Sequence, residues 1–365
     1  MEKVCIFCGK RPGSKNMEHV LPQWLIRLTG NPRRMARFGY DKDFKRGQFV
    51  ERRFSFGAFK FPSCEECNQE FSDFEGNVKL IVEKMMVEDS ISESELSTLL
   101  DWFDKVRIGL WLAFLYLDKN PLGIRPGFYV QNRIRQYDRM LAIFKAEGNT
   151  EGLHFGGCET PAFASSPSCF SLHINNLCFL NMSYPNLLAR RMGFPFPVKT
   201  YVMEDDEWSC SYSAGRNRIM RPILRKSLGI KGIELYQPIF FGNVADEDNE
   251  GLRRLYDTEY VRDNCISWEK GIGRIFITSD LGVNAYSASP SREWIPKGNH
   301  DFEGLLFEIQ LLTLDWQLYI IDNLKPAFKF LSKEKRRKVL KVQYLSKYYN
   351  KEAIKFLREM GKQVK

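Results

Sequence analysis

The sequence predicts an α+β protein: a small cysteine-bearing N-terminal module, a helical segment, a mixed β-rich domain, and C-terminal helices with a basic tail. Three observations carry that expectation. Two CxxC pairs, Cys5/Cys8 and Cys64/Cys67, bracket the N-terminal part of the chain. Apolar residues recur at three- and four-residue steps after Glu65 and again after Ser92. From residue 149 the apolar runs shorten and lie among Gly, Ser, Asn and Pro, as strands between turns do. The segments read as 1–90, 91–148, 149–300 and 301–365.

Taken in order, CIFCGK (5–10) is a tight cysteine turn that leads to a short strand. Pro22 opens the helix PQWLIRLTG and Gly30 stops it, since proline is tolerated in a first turn and glycine suits a helix end. Residues 31–47 read as a basic loop. FVERRFSFGAFKF (49–61) alternates apolar and polar around Phe54, Phe56, Phe59 and Phe61, the pattern of a strand or hairpin. A helix begins near Glu65 with Phe71, Phe74, Val78, Ile81, Val82 and Met85 on one face. Ser92 and Glu95 form a capping box for a second helix that carries Leu96, Leu99, Leu100, Trp102, Phe103, Val106 and Leu110 towards Leu117. NPLGIRPG (120–127) is a break, and a third helix is expected to about Ala146, ending at Gly148. FSLHINNLCFL then reads as a hairpin turning at Asn175–Asn176, and TYVMEDDEWSCSYS, ELYQPIFFGNV and GRIFITSDLGV as further strands. Helical spacing returns at Asp301 and runs through Leu305, Leu306, Ile309, Leu312 and Leu314 to Ile320. Pro326 interrupts it, and the tail forms one or two amphipathic helices with Val339, Leu340, Val342 and Leu345 on the apolar stripe.

Composition narrows the function classes. Across 365 residues, 44% hydrophobic and 27% charged residues supply a sizeable core. MEKVCIFCGK contains no apolar signal region, and the run Ile108–Leu117 is too short to cross a bilayer and follows Asp104, Lys105 and Arg107. A soluble cytoplasmic protein with no membrane partner is expected. Five of the nine cysteines, Cys158, Cys169, Cys178, Cys210 and Cys265, have no ligand-like spacing and read as free, mostly buried thiols. The net charge of +9 is unevenly spread. Residues 325–365 hold fourteen Lys/Arg against three Asp/Glu, so the remainder of the chain is slightly acidic. A second basic stretch, residues 30–60, lies between the cysteine pairs. Such asymmetry points to a polyanion, with nucleic acid first, and for the tail a protein partner or plain surface equally.

Two separated CxxC pairs have the spacing of a tetrahedral Cys₄ zinc site. With four thiolates filling the coordination sphere no position is left for water, so the expected Zn²⁺ is structural. It ties together two segments separated by fifty-five residues.

Between the pairs lies MEHVLPQW (17–24), and Asn68 directly follows Cys67. This pattern, CxxC…EHxxP…CxxCN, resembles the HNH, or ββα-metal, nuclease family over residues 1–77. The resemblance implies an N-terminal ββα-metal zinc-ribbon nuclease module in residues 1–90, with a catalytic trio of His19, Glu18 and Asn68. His19 matches the general base, because an imidazole of near-neutral pKa takes a proton from water at physiological pH. Glu18 matches the acidic ligand of a catalytic Mg²⁺ or Mn²⁺, and Asn68 the amide that ligates or orients that ion. The sequence departs from the family in three places. Glu18 stands where Asp or His is usual. Phe71 or Ser72 stands where a histidine often follows Asn68 by a turn. The gap between the cysteine pairs is also longer, filled by a basic insertion with Arg33, Arg34, Arg37, Lys45, Arg46, Arg52 and Arg53 as candidate phosphate contacts. Glu75, two helical turns beyond Asn68, is either a further ligand or an exposed helix carboxylate.

The expected function is a metal-dependent endonuclease acting on nucleic acid, double-stranded DNA first, with bacterial antiviral defence or mobile-element biology suggested by analogy alone. The alternative is a non-catalytic zinc-ribbon module that binds nucleic acid or a partner protein; a homo-oligomer is compatible with either. His154, His173 and His300 lack a partner motif and read as structural. EDDE (204–207) reads as a solvated turn. GIGR (271–274) leads into a strand and so lacks the helix a phosphate loop requires.

Overall fold

A computed structural model describes residues 4–13, 16–43, 45–58, 60–117, 122–192, 194, 196–202, 208–213, 230–239, 262–267, 270–279, 282–287, 294–298, 300–323 and 332–363. The chain opens with β1 (Met17–His19), α1 (Gln23–Leu28), β2 (Met35–Asp43), β3 (Gln48–Ser55), a 3-10 turn (Phe56–Ala58) and β4 (Lys60–Pro62). Two long helices follow, α2 (Glu65–Met86) and α3 (Glu93–Leu117). Then come β5 (Asp138–Lys145), β6 (Leu153–Gly156), α4 (Pro161–Ser165), β7 (Cys169–Ile174), β8 (Leu177–Tyr184) and α5 (Ala189–Met192). The antiparallel pair β9 (Phe196–Val202) and β10 (Trp208–Ser213) precedes β11 (Gly232–Gln237), β12 (Cys265–Ser267), β13 (Ile272–Gly273), β14 (Phe276–Ser279) and β15 (Gly282–Ala285). The chain closes with α6 (Phe302–Asn323) and α7 (Lys333–Gln363). The protein is α+β.

A nine-stranded sheet in the order β15-β14-β11-β5-β8-β7-β6-β2-β3 lies between two helical layers. Its neighbours pair antiparallel except β2 and β6, which run parallel through Arg37 and His154. Alternate residues serve opposite faces. Leu141, Ile143, Leu172 and Phe179 join the core beneath α2 and α3, while Met140, Ala142, Leu180 and Met182 join the core beneath α6.

This double burial explains the main departure from the sequence reading. The third helix expected up to Ala146 is the central strand β5, every residue of which is buried. A strand covered on both faces is apolar on both, so RMLAIFKA carries no period-two signal to tell it from a buried helix. The basic loop expected at 31–47 is likewise replaced by β2 over most of its length. Its alternation is broken at Gly39, which has φ +74° beside an irregularity in the register with β3; a Cβ there would lie 2.2 Å from the Glu159 carboxylate. The strand or hairpin expected at 49–61 divides: β3 is the sheet edge, whereas β4 pairs with β1. Because β2 and β3 join strands from residues 138–285, the segments 1–90 and 149–300 share one sheet.

Other elements follow the sequence closely. Ser92 Oγ accepts from the Glu95 amide at 3.2 Å and Glu95 Oε2 accepts from the Ser92 amide at 2.8 Å, a complete capping box. The β7–β8 hairpin turns at Asn175 with φ 55°, a conformation asparagine tolerates. Among the described residues the basic tail forms one helix, α7, which packs Tyr349, Ala353, Ile354 and Leu357 against α6 and the β2–β3 edge. By length and composition α6 is apolar enough to cross a membrane; 56% of its apolar window is buried within the fold. EDDE (204–207) lies outside the described residues, and GIGR (271–274) contributes β13 to a small two-stranded sheet.

Candidate metal centre and the adjacent strand

Two turns present the four thiols. In the first, the Gly9 amide donates to Cys5 O at 2.8 Å and the Cys5 amide to Lys10 O at 2.9 Å. Gly9 has φ +77°, and a Cβ there would strike the Tyr129 ring at 2.3 Å, so the turn needs glycine on both counts. In the second, Cys64 is the N-cap of α2, Cys67 lies in its first turn, and the Asn68 amide donates to Cys64 O at 3.0 Å. The turns are joined by the Ile6 amide, which donates to Pro62 O at 3.1 Å.

The four sulfur atoms lie within 4.8 Å of one another, and Cys8 Sγ is 3.7 Å from Cys64 Sγ. That separation is too long for a disulfide, in which the sulfurs are about 2.05 Å apart. It matches the edge of a tetrahedron with metal–sulfur bonds of about 2.3 Å, which is about 3.8 Å. Burial pushes the Cys8 and Cys67 thiols up, and neighbouring cysteines add to the effect; burial also acts upwards on Cys5, but the amides of Cys8, Cys64 and Phe7 outweigh it and bring that thiol down. Four clustered thiolates need a multivalent cation to offset their repulsion. The cluster therefore fits one tetrahedral ion such as Zn²⁺. Of the other cysteines, Cys158, Cys169 and Cys178 are buried free thiols and Cys265 is partly exposed; the Cys210 side chain lies outside the described residues.

The same clasp organises β1. This strand pairs with β4, Glu18 opposite Phe61 and His19 opposite Lys60, and β4 runs through Ser63 into Cys64 and α2. Glu18, His19 and Asn68 are all partly exposed. The Gln23 amide stands 3.0 Å from Nε2 and 3.1 Å from Nδ1 of the His19 ring. Burial lowers the His19 pKa, and the charges of Lys60 and Lys105 lower it further. The imidazole is therefore neutral near pH 7 and able to accept a proton.

Glu75 fits neither expectation held for it. It is neither an exposed carboxylate nor open to a metal, because it is buried and ion-paired with Lys105 of α3. Lys105 Nζ also donates to the carbonyl of Val20, the residue after His19, at 3.1 Å. Burial raises the Glu75 pKa, Lys105 opposes the shift, and the Glu18 charge raises it, so the two carboxylates share one electrostatic neighbourhood. Phe71 is buried and stacks on Phe7 with centroids 4.3 Å apart, which leaves exposed Ser72 as the other residue near that turn.

The seven basic residues of the insertion divide into two groups. Arg34 donates to Thr29 Oγ1 at 2.6 Å and lies 5.0 Å from the Phe56 ring centroid. Arg37 pairs with Glu51 at 3.0 Å and Glu303 at 3.2 Å. Arg52 pairs with Asp41 at 3.6 Å and lies over Phe54 and Phe114, and Arg53 pairs with Glu51. Arg34, Arg37 and Arg52 are engaged within the fold, whereas Arg53 is exposed and, among the described residues, meets only Glu51, two residues away on the same strand. Arg33, Lys45 and Arg46 are exposed, Arg46 with only a 3.7 Å contact to Asp43.

Sequence reasoning missed Lys105 as a residue that supports the site. A signal for it exists: a charged triplet, Asp104, Lys105 and Arg107, inside an otherwise apolar helix implies buried partners rather than merely a non-membrane segment. The chain matches no family model, no curated protein and no solved structure.

Proposed function

We propose that the chain is a metal-dependent endonuclease of the HNH type that hydrolyses phosphodiester bonds, most readily in DNA. One observation carries the reading: the cysteine cluster joins the β1–β4 pair to the first turn of α2, and that unit bears Glu18, His19 and Asn68. His19 is the general base; its depressed pKa favours the neutral ring that the role requires. Glu18 and Asn68 would hold a Mg²⁺ or Mn²⁺ ion, which supplies Lewis-acid stabilisation of charge on the phosphate and leaving oxygen. Both side chains offer oxygen donors, the type these hard cations take. The Glu75–Lys105 pair supports β1 from behind and adds no ligand of its own.

The decisive experiment incubates purified full-length protein with supercoiled plasmid and Mg²⁺ or Mn²⁺, beside His19→Ala and Asn68→Ala. Loss of cleavage in both variants, with wild-type thermal stability, is the expected result. Equal cleavage by His19→Ala would remove the assigned base. A wild-type protein that binds DNA or RNA but cuts neither would favour the second reading, a zinc module that only binds; the exposed Arg33, Lys45 and Arg46 are compatible with that reading too.

A further inference from the structure

Four arginines and two aspartates converge between α3 and the start of β5. Arg135 and Arg139 both bond Asp101, Arg139 also reaches Asp104 at 3.1 Å, and Arg107 bonds Asp104 at 2.6 Å. Arg107 also donates to Pro167 O at 2.9 Å and to Asn181 Oδ1 at 2.6 Å. The two carboxylates are thus committed, and Arg133 pairs with no carboxylate among the described residues. Its guanidinium instead lies 3.7 Å from the centroid of the Phe128 ring and 4.5 Å from that of Tyr137. Phe128 is held in turn by stacking on Trp111, centroids 4.6 Å apart.

Arg133 and Arg107 line a cavity of about 220 Å³ together with Ser166, Ser168 and Ser183. Ser166 Oγ and Ser168 Oγ are 2.7 Å apart, and Ser183, only 4% exposed, has a buried Oγ with no hydrogen-bond partner. An orphaned buried hydroxyl is costly, and so is a half-buried cation without a counter-charge. One group satisfies both: a tetrahedral oxyanion, whose several oxygens accept from a guanidinium and from hydroxyls at once. A carboxylate, with two oxygens, satisfies fewer of these donors. Burial, reinforced by Arg107, brings the Arg133 pKa down to about 10, which still leaves it a cation at neutral pH. The volume is below the roughly 300 Å³ of sites that enclose drug-sized ligands, so it suits a small phosphate compound or the end of a larger one.

We propose that this cavity binds the phosphate group of a phosphomonoester, with the oxygens accepting from Arg133 and from the hydroxyls of Ser166, Ser168 and Ser183. The site is separate from the residues assigned to phosphodiester cleavage and does not depend on that assignment.

The test is calorimetric titration of the full-length chain at low ionic strength, without added divalent cation, with inorganic phosphate, adenosine monophosphate and adenosine. Phosphate and the monophosphate are expected to bind, and adenosine is not. Tighter binding of the monophosphate identifies an organic ester as the preferred source; equal binding identifies the phosphate group alone. Arg133→Gln is expected to weaken binding about tenfold or more, as loss of a charged hydrogen-bond donor does. Failure of both phosphate compounds to bind, adenosine binding as tightly as its monophosphate, or full affinity in Arg133→Gln would overturn the proposal. Should Arg133→Gln not fold, Ser183→Ala decides: it removes only the orphaned hydroxyl, and unchanged phosphate affinity in that variant overturns the proposal equally.

Discussion

Lys105 joins Glu75 in the core directly behind the strand that carries Glu18 and His19, and the same ammonium group holds the Val20 carbonyl at 3.1 Å. Both side chains are almost completely buried. Lys105→Met therefore strands a carboxylate in the core and releases the end of β1. The expected cost is about 3–5 kcal/mol, the range for breaking one half of a buried pair. The double variant Lys105→Met/Glu75→Met should recover much of that loss, since apolar residues of similar volume can replace such a pair. Thermal unfolding of the two single variants and the double variant measures the coupling; a double variant whose loss equals the sum of the single losses would show there is none.

The cysteine cluster predicts one tightly held zinc per chain, measurable by elemental analysis. Cys64→Ser removes one of four ligands from the residue that caps α2, so it should release the metal and unfold the N-terminal region. Strong chelators should lower the unfolding temperature of the wild type and leave Cys64→Ser little changed. Metal-free wild-type protein with an unaltered melting curve would refute a structural role.

The legible parts of the sequence were those with local causes. The CxxC turns, the Ser92–Glu95 capping box, the apolar face of α2 and the Asn175 turn each depend on residues a few positions apart. What stayed hidden depends on partners distant in sequence. The sequence of β5 does not distinguish strand from helix because α3 and α6 cover both its faces, and that of β2 reads as a loop because its cations find partners such as Glu303, 266 residues away. At the site the same division holds. The four clustered cysteines follow from their CxxC spacing, whereas the Lys105 contact to Glu75 spans thirty residues and cannot be read from spacing.

The division among the basic residues of the insertion can be tested by separating affinity from stability. Arg37 bridges Glu51 and Glu303, so Arg37→Ala should change the melting temperature modestly, because both ion pairs are solvent-accessible. Arg33→Ala and Lys45→Ala/Arg46→Ala should leave melting unchanged and weaken DNA binding uniformly across sequences. Binding isotherms and melting curves on the same preparations check both; unchanged DNA affinity in the exposed-residue variants would remove this surface from the nucleic-acid interface.

His173 is 1% exposed, with Nδ1 2.9 Å from Cys178 Sγ, and pairs across the sheet with His154. Burial brings its pKa down to about 3, with the neighbouring His154 contributing; burial, then Arg37 and Arg34, brings His154 down to about 4. The folded chain therefore keeps both rings neutral at pH values where the unfolded chain, titrating near 6.5, takes up protons. Stability from this source is fully present above about pH 6.5 and is lost as the pH falls towards about 4 for His154 and about 3 for His173, at up to about 1.4 kcal/mol per pH unit for each ring. His173→Phe should flatten that acid limb in pH-dependent denaturation. An unchanged slope in that variant would show that His173 does not titrate differently on unfolding.

The helix α7 has two unlike halves. From Gln343 onwards it buries Ser346, Tyr349, Asn350, Ala353 and Leu357, and Lys42 reaches it through Glu352 at 3.0 Å. Its first turns are almost entirely exposed and carry Lys333, Lys335, Arg336, Arg337, Lys338 and Lys341 against Glu334 alone. Cations that contribute no packing have little part in stability, but they neutralise phosphates when a polyanion binds. Reversing Lys335, Arg336 and Arg337 to glutamate should change the melting temperature by no more than about 3 °C, since surface substitutions rarely exceed about 0.5 kcal/mol each. The same change should weaken DNA binding and reduce the dependence of log affinity on log salt by roughly one unit for each phosphate that is no longer neutralised. A reduced salt slope would make this arm an electrostatic grip in addition to the exposed cations of the insertion; an unchanged slope would leave it as a solvated surface.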